Sequence, residues 1–197
     1  IVVADDILAQ FYIGEEAVGI WKYGAEPGAG AARTQVDKTG TGGHLTADVE
    51  GLSIYYTSDN KGYLIGSSQG NSTIAVYARD GVNDFLGSFQ VSANGPIDAV
   101  TGSDGLDVAN MPLGGGFPRG LFVLHDSSNS GATASNYKYV PWESIASALG
   151  LTIDTSWDPR LIGGNIGPDT IPPGAIMDLG VGGSASSAPA ATATTKP

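Results

Sequence analysis

Asp48 and Glu50 stand two residues apart at the head of an apolar, aromatic run, Leu52-Ser53-Ile54-Tyr55-Tyr56. Side chains of an extended chain alternate between two faces, so a strand over 48–56 points both carboxylates the same way. Like charges on one face repel unless a cation lies between them. Acidic pairs at strand ends are commonly no more than solvated, so this pair takes its meaning from the rest of the chain.

An echo of the pair lies downstream. Asp104-Gly105-Leu106 repeats Glu50-Gly51-Leu52 after 54 residues, and each opens a strand-like run with an acid, a glycine and a leucine. Three apolar runs also recur: Phe11-Tyr12-Ile13-Gly14, Tyr63-Leu64-Ile65-Gly66 and Leu121-Phe122-Val123-Leu124. Ile13 and Ile65 are 52 positions apart, and Ile65 and Val123 are 58 apart. A polar cluster follows each run: Glu15-Glu16, then Ser67-Ser68-Gln69-Gly70-Asn71, then His125-Asp126-Ser127-Ser128-Asn129. Another strand-like, aromatic run comes after each cluster, and Phe85-Leu86-Gly87-Ser88-Phe89-Gln90-Val91 supplies a fourth strand. A period near ~50 residues with four strands per unit is the signature of β-propeller blades.

The chain is therefore expected to be all-β, with about three propeller blades ending near Leu151. Propellers close with at least about four blades, so these blades are expected to be part of a ring. Ile1-Val2-Val3-Ala4 starts abruptly inside a strand-like run, as a piece of a longer precursor would. First strands of successive blades line a propeller's channel. Glu50 and Asp104 then belong to a ring of acids at one mouth, with Glu16, Asp48, Gln69 and Asn71 in turns facing it. Converging carboxylate and amide oxygens suit calcium. Taken singly, each side chain is better read as capping its own turn; the repetition favours the metal.

Composition narrows the function classes. The 197 residues carry a net charge of -11, with only 9 Lys and Arg and no basic cluster, which excludes nucleic-acid binding through a basic patch. No cysteine is present, so disulfides, thiolate metal sites and Cys nucleophiles are excluded. No apolar run reaches membrane-spanning length. Gly (30) and Pro (11) are abundant, as in short strands joined by turns. Residues 141–149 are expected to form one short helix. The Gly-, Pro-, Ala- and Thr-rich stretch 161–197 reads as a tail or linker.

Other catalytic patterns fall away. His44 and His125 are the only histidines, and no nucleophile elbow accompanies them. His44 reads as a turn residue bonded to backbone. Gly114-Gly115-Gly116 lacks the lysine of a phosphate loop. Residues 98–107 are rich in acids but break the EF-hand pattern.

These segments resemble the C-terminal half of the β-propeller phytases, the calcium-dependent alkaline phytases of bacteria. The resemblance rests on His44-Leu45-Thr46-Ala47-Asp48-Val49-Glu50-Gly51-Leu52, Ser67-Ser68-Gln69-Gly70-Asn71-Ser72, Ser103-Asp104-Gly105-Leu106-Asp107-Val108 and Tyr137-Lys138-Tyr139-Val140-Pro141-Trp142-Glu143. It covers residues 1–160. It implies a six-bladed parent that removes phosphate from phytate, taken as its calcium complex, by attack of activated water. It further implies catalytic roles for Glu16, Asp48 and Glu50, with Glu16 or Glu50 orienting the water. Glu16, Asp48, Glu50, Gln69 and Asp104 are implied at the catalytic calcium ions. Asp98 and Asn129 are implied at a structural calcium, with Asn71 and Asp126 as further candidates. Ala17 departs from the family, which often carries a second acid there. The family's phosphate-binding Lys, Arg and Tyr residues belong to its other half, so these 197 residues alone are expected to be inactive. Secretion or a periplasmic location, and a monomeric state for the complete propeller, follow from the same resemblance. A non-catalytic propeller scaffold with structural calcium is the alternative function, and a calcium-using propeller lactonase a third.

Overall fold

The computed structural model describes residues 1–131, 134–157 and 191–194. Its elements are three antiparallel sheets and one helix. The first sheet is β1 (Val2–Asp5), β2 (Gln10–Glu15), β3 (Gly19–Gly24) and β4 (Arg33–Lys38), paired in that order. The second is β5 (Leu52–Tyr56), β6 (Gly62–Ser68), β7 (Thr73–Ala78) and β8 (Phe85–Val91). The third holds β9 (Leu106–Ala109), β10 (Leu121–Asp126) and β11 (Asn136–Pro141), after which the chain turns into α1 (Trp142–Leu149). These are successive propeller blades, and their first strands β1, β5 and β9 are neighbours in space. A side-chain contact joins two of them, where Ser53 Oγ donates to Asp107 Oδ1 at 2.8 Å.

Burial explains why the middle blade reads as nearly continuous apolar sequence. Alternate residues of its strands face opposite neighbours. Leu52, Ile54, Leu64, Ala75 and Tyr77 pack with Tyr12, Ile20 and Val49 toward the first blade. Tyr55, Ile65, Ile74, Val76 and Phe89 pack with Phe122, Leu124, Val140 and Trp142 toward the third. Tyr55 stacks on Trp142 at 4.2 Å, so the helix start closes the second core. The predicted helix is present as α1, and Gly150, left-handed at φ 66°, ends it.

Two differences from the sequence reading stand out, at the start of β5 and in the stretch after 160. Strand β5 begins at Leu52, and residues 48–51 form a loop ahead of it. As expected, α1 follows β11 in the third blade, where the other two blades continue into a fourth strand. Within the stretch expected to be a tail, Ala191–Thr194 forms β12 and pairs antiparallel with β8 as a fifth strand. The outer edge of β8 offers unpaired ladder groups, and an alanine–threonine segment without proline can extend that ladder. The proposed boundary at 160 and the remainder of 161–197 lie outside the described residues.

At the end of the blades away from the acidic loops, Arg79 and Asp5 form a fully buried pair. Arg79 Nε donates to Asp5 Oδ2 at 2.6 Å, and its second terminal nitrogen (Nη2) donates to Asp5 Oδ1 at 2.7 Å. The guanidinium also lies 4.5 Å from the Tyr56 ring centre. Among the described residues no helix is long and apolar enough to cross a membrane.

Candidate active site

Blade topology brings the acids to one mouth. In an antiparallel blade, the start of the first strand and the turn between the second and third strands lie at the same end. The loop before β5 carries Asp48 and Glu50, and the loop before β9 carries Asp98 and Asp104. Glu16 follows β2, Gln69 opens the 3-10 turn between β6 and β7, and Asn129 lies between β10 and β11. All seven predicted ligands thus come from this end, although they divide into two groups.

Loop 46–51 is fastened on both sides. Val49 N donates to the Glu16 carbonyl at 3.0 Å, and Gln69 N donates to the Asp48 carbonyl at 2.9 Å. Buried Ser67 accepts at Oγ from Glu50 N at 3.1 Å and from Gly51 N at 2.9 Å. Buried Ser68 accepts from Thr46 N at 2.7 Å. Gly70 makes this possible: a Cβ there would collide with the Ala47 carbonyl oxygen. The Ser67-Ser68-Gln69-Gly70 sequence is therefore a clamp that fixes where Asp48 and Glu50 stand.

Asp104 joins the same group. A Cβ on Gly51 would lie 2.5 Å from the Asp104 carbonyl oxygen, so glycine permits the two acid-bearing loops to touch. Gln69 Nε2 donates to Asp104 Oδ1. His125 Nδ1 lies 3.0 Å from Asp104 Oδ2, a close approach and not an aligned hydrogen bond. Ser72 Oγ accepts from Gly102 N at 3.1 Å and ties the motif to the loop before Asp104.

Electrostatics mark this group as short of positive charge. Burial pushes the Glu50 carboxyl above its ordinary value, and the charges of Glu16, Asp104 and Asp48 push it further in the same direction. A group that binds its proton more tightly folded than unfolded stabilises the fold while protonated. That contribution is full below the unfolded value and is lost as pH rises through the raised folded value. In chelator, wild-type stability should therefore fall above the ordinary glutamate range, and Glu50→Gln should not share that fall. Thermal midpoints against pH for both proteins check this; parallel profiles would refute it.

Hard oxygen donors with a deficit of positive charge fit a hard dication such as calcium. Among the described residues, however, no three acids or histidines form a tight, preformed metal cluster. Glu16, Asp48, Glu50 and Asp104 come from three blades and converge at longer range.

Asp98 and Asn129 are brought together elsewhere, around a lysine. Lys138 Nζ donates to Asp98 Oδ1 at 2.7 Å, to Asn129 Oδ1 at 2.8 Å and to Asn136 Oδ1 at 3.1 Å. It also lies 2.8 Å from Asp126 Oδ2. The two oxygens implied at a structural calcium thus face the Lys138 ammonium in this structure. Asn71 belongs to neither group. Its Oδ1 accepts from Ser68 Oγ at 2.8 Å and from Thr73 Oγ1 at 2.7 Å, capping its own turn.

His44 differs from its expected backbone bonding. Its ring Nδ1 lies 2.9 Å from Asp37 Oδ2, which also accepts from Tyr77 OH at 2.7 Å. The ring stacks on Phe85 at 3.7 Å. This contact anchors the crossover that leads into loop 46–51. Sequence reasoning left the clamp serines, His125 and Lys138 without roles. The alternation in β11 contained a signal for Lys138, since it is in phase with buried Val140 while Tyr137 and Tyr139 are 58% and 55% exposed.

Comparison with known proteins agrees with this architecture. Residues 1–163 match the family model described as Phytase. A curated relative, the 3-phytase of Bacillus subtilis (strain 168), is 46% identical over 151 residues. That match takes in 75% of this chain and 39% of the relative, so the chain spans about two fifths of the relative's length. With the family's pattern running through all three blades and both acidic loops, the chain belongs to the phytase family, in its β-propeller form.

Proposed function

We propose that the protein to which these blades belong hydrolyses phytate in a calcium-dependent reaction, with loop 46–51 and its neighbours forming the acidic half of the active site. The observation that carries this reading is the convergence of Glu16, Asp48, Glu50 and Asp104; burial raises the Glu50 pKa and the neighbouring acids raise it further. Family membership and the 3-phytase relative support the substrate class.

A carboxylate-lined mouth repels a polyanion such as phytate. Glu16, Asp48, Glu50 and Asp104, with Gln69 Oε1, would hold calcium. Bound there, calcium supplies positive charge that offsets the acids and polarises phosphate oxygens and water. The chain's own residues do the remaining work. Ser67 and Gln69 hold Asp48 and Glu50 in place through the backbone. Gln69 and His125 restrain the two Asp104 oxygens. Glu50, the carboxylate made more basic by burial and by its acidic neighbours, is suited to take a proton from the attacking water. Water oxygen then bonds to phosphorus, the P–O ester bond breaks, and the inositol oxygen leaves as a hydroxyl once protonated.

Phosphate release from calcium-phytate by the full-length parent tests this reading. Activity that requires calcium and is lost in Glu16→Ala is the expected result. Full expression and calcium binding without phosphate release would instead favour a propeller scaffold.

A further inference from the structure

We infer that His125 is a positioning residue for the mouth: it fixes the orientation of the Asp104 carboxylate and thereby sets how tightly the acidic group holds calcium. The inference rests on the calcium-binding role proposed for that group and adds to it a residue that is not itself a ligand.

Strand β10 puts His125 where packing alone does not ask for it. Burial alternates along Leu121–Asp126. Phe122 and Leu124 enter the core shared with the middle blade, and Leu121, Val123 and His125 take the other face. An aliphatic residue would continue that face. The histidine side chain is 15% exposed, and its Nδ1 is buried without an aligned hydrogen bond. A buried polar atom left in that state is unfavourable. Facing it at 3.0 Å is Asp104 Oδ2.

The restraints on Asp104 come from two blades. Gln69 Nε2 donates to Oδ1 from the middle blade, and His125 faces Oδ2 from the third. His125 N also donates to the Gly105 carbonyl at 2.9 Å, which ties the main chain beside Asp104 to β10. Tyr137, the cross-strand partner of His125, packs edge-on against the imidazole with ring centres 5.6 Å apart and holds the ring in place. The Asp104 side chain is 48% exposed, so without these contacts it would turn freely in water. Asp104 is the acid that the third blade contributes to the mouth group, so its orientation decides whether that blade takes part in binding. Removing a partner that orients a metal-binding side chain typically weakens metal affinity by about 10- to 100-fold.

Two measurements on the full chain test the inference. The first is calcium titration by calorimetry of wild type, His125→Leu and His125→Gln, with folding checked by circular dichroism. Leucine suits the aliphatic face and keeps the backbone bond to Gly105 but has no side-chain nitrogen; glutamine restores a donor. His125→Leu should bind calcium at the mouth about 10- to 100-fold more weakly, and His125→Gln should recover most of that loss. Unchanged affinity in His125→Leu, or an equal loss in both variants, would overturn the inference. The second is the crystal structure of wild type and His125→Leu in chelator. The Asp104 carboxylate should hold one orientation in wild type and lose it in the variant, and an unmoved carboxylate would overturn the inference. This readout contains no calcium. A wild type that binds no calcium would therefore count against the proposed calcium chemistry, while the orientation of Asp104 still decides the role of His125.

Discussion

Arg79→Ala is expected to destabilise the protein by about 3–5 kcal/mol, the range for breaking a buried ion pair. Both side chains of the pair are 0% exposed, so alanine leaves the Asp5 carboxylate without its counter-charge and out of reach of water. Asp5 Oδ1 keeps only the Leu8 and Ile7 amides, at 3.0 and 3.2 Å. Arg79 Nη1 also donates to the Lys61 carbonyl at 2.9 Å, so the β5–β6 turn loses a contact as well. Removing both charges in Asp5→Leu/Arg79→Met should recover much of the loss, because an apolar pair needs no compensation. Urea denaturation of the three proteins measures this. A single-variant loss below about 1 kcal/mol, the range of a surface pair, would show that the pair is solvated.

The second large effect is at the mouth. In the full-length parent, Glu50→Gln should lower phosphate release by at least about 100-fold, the lower range for loss of a general base. The substitution keeps the shape of the side chain, and the bond from Glu50 N to Ser67 Oγ belongs to the backbone and survives. Folding should therefore be preserved, which separates this variant from Ser67→Ala. The serine change removes the acceptor for two amides and should displace the loop itself. Turnover within about tenfold of wild type for Glu50→Gln would remove Glu50 from the reaction.

Much of this was legible in residue order. The Glu50-Gly51-Leu52 and Asp104-Gly105-Leu106 repeat marked two first strands, and the repeated apolar runs marked β2, β6 and β10. Fourth strand β8 was readable over the range it occupies because its aromatics alternate cleanly. Less legible were features that depend on three-dimensional partners. Serine hydroxyls at 67 and 68 look like turn residues until loop 46–51 is folded over them. Arg79 looks like one scattered base among nine, because its partner Asp5 is 74 residues away. Asp98 and Asn129 were implied at a metal by the family resemblance alone, and residue order gives no sign that Lys138, 40 and 9 residues away, reaches both of them. Strand β12 was hidden because backbone pairing at a sheet edge requires little of its side chains.

Calcium titration of the chain by isothermal calorimetry, with wild type beside Glu50→Gln, tests the central claim most directly. Wild type should bind calcium at the mouth, Glu50→Gln should weaken or lose that binding, and both should retain the same fold by circular dichroism. Calcium binding of equal strength and stoichiometry in the two proteins, or none in wild type, would contradict it.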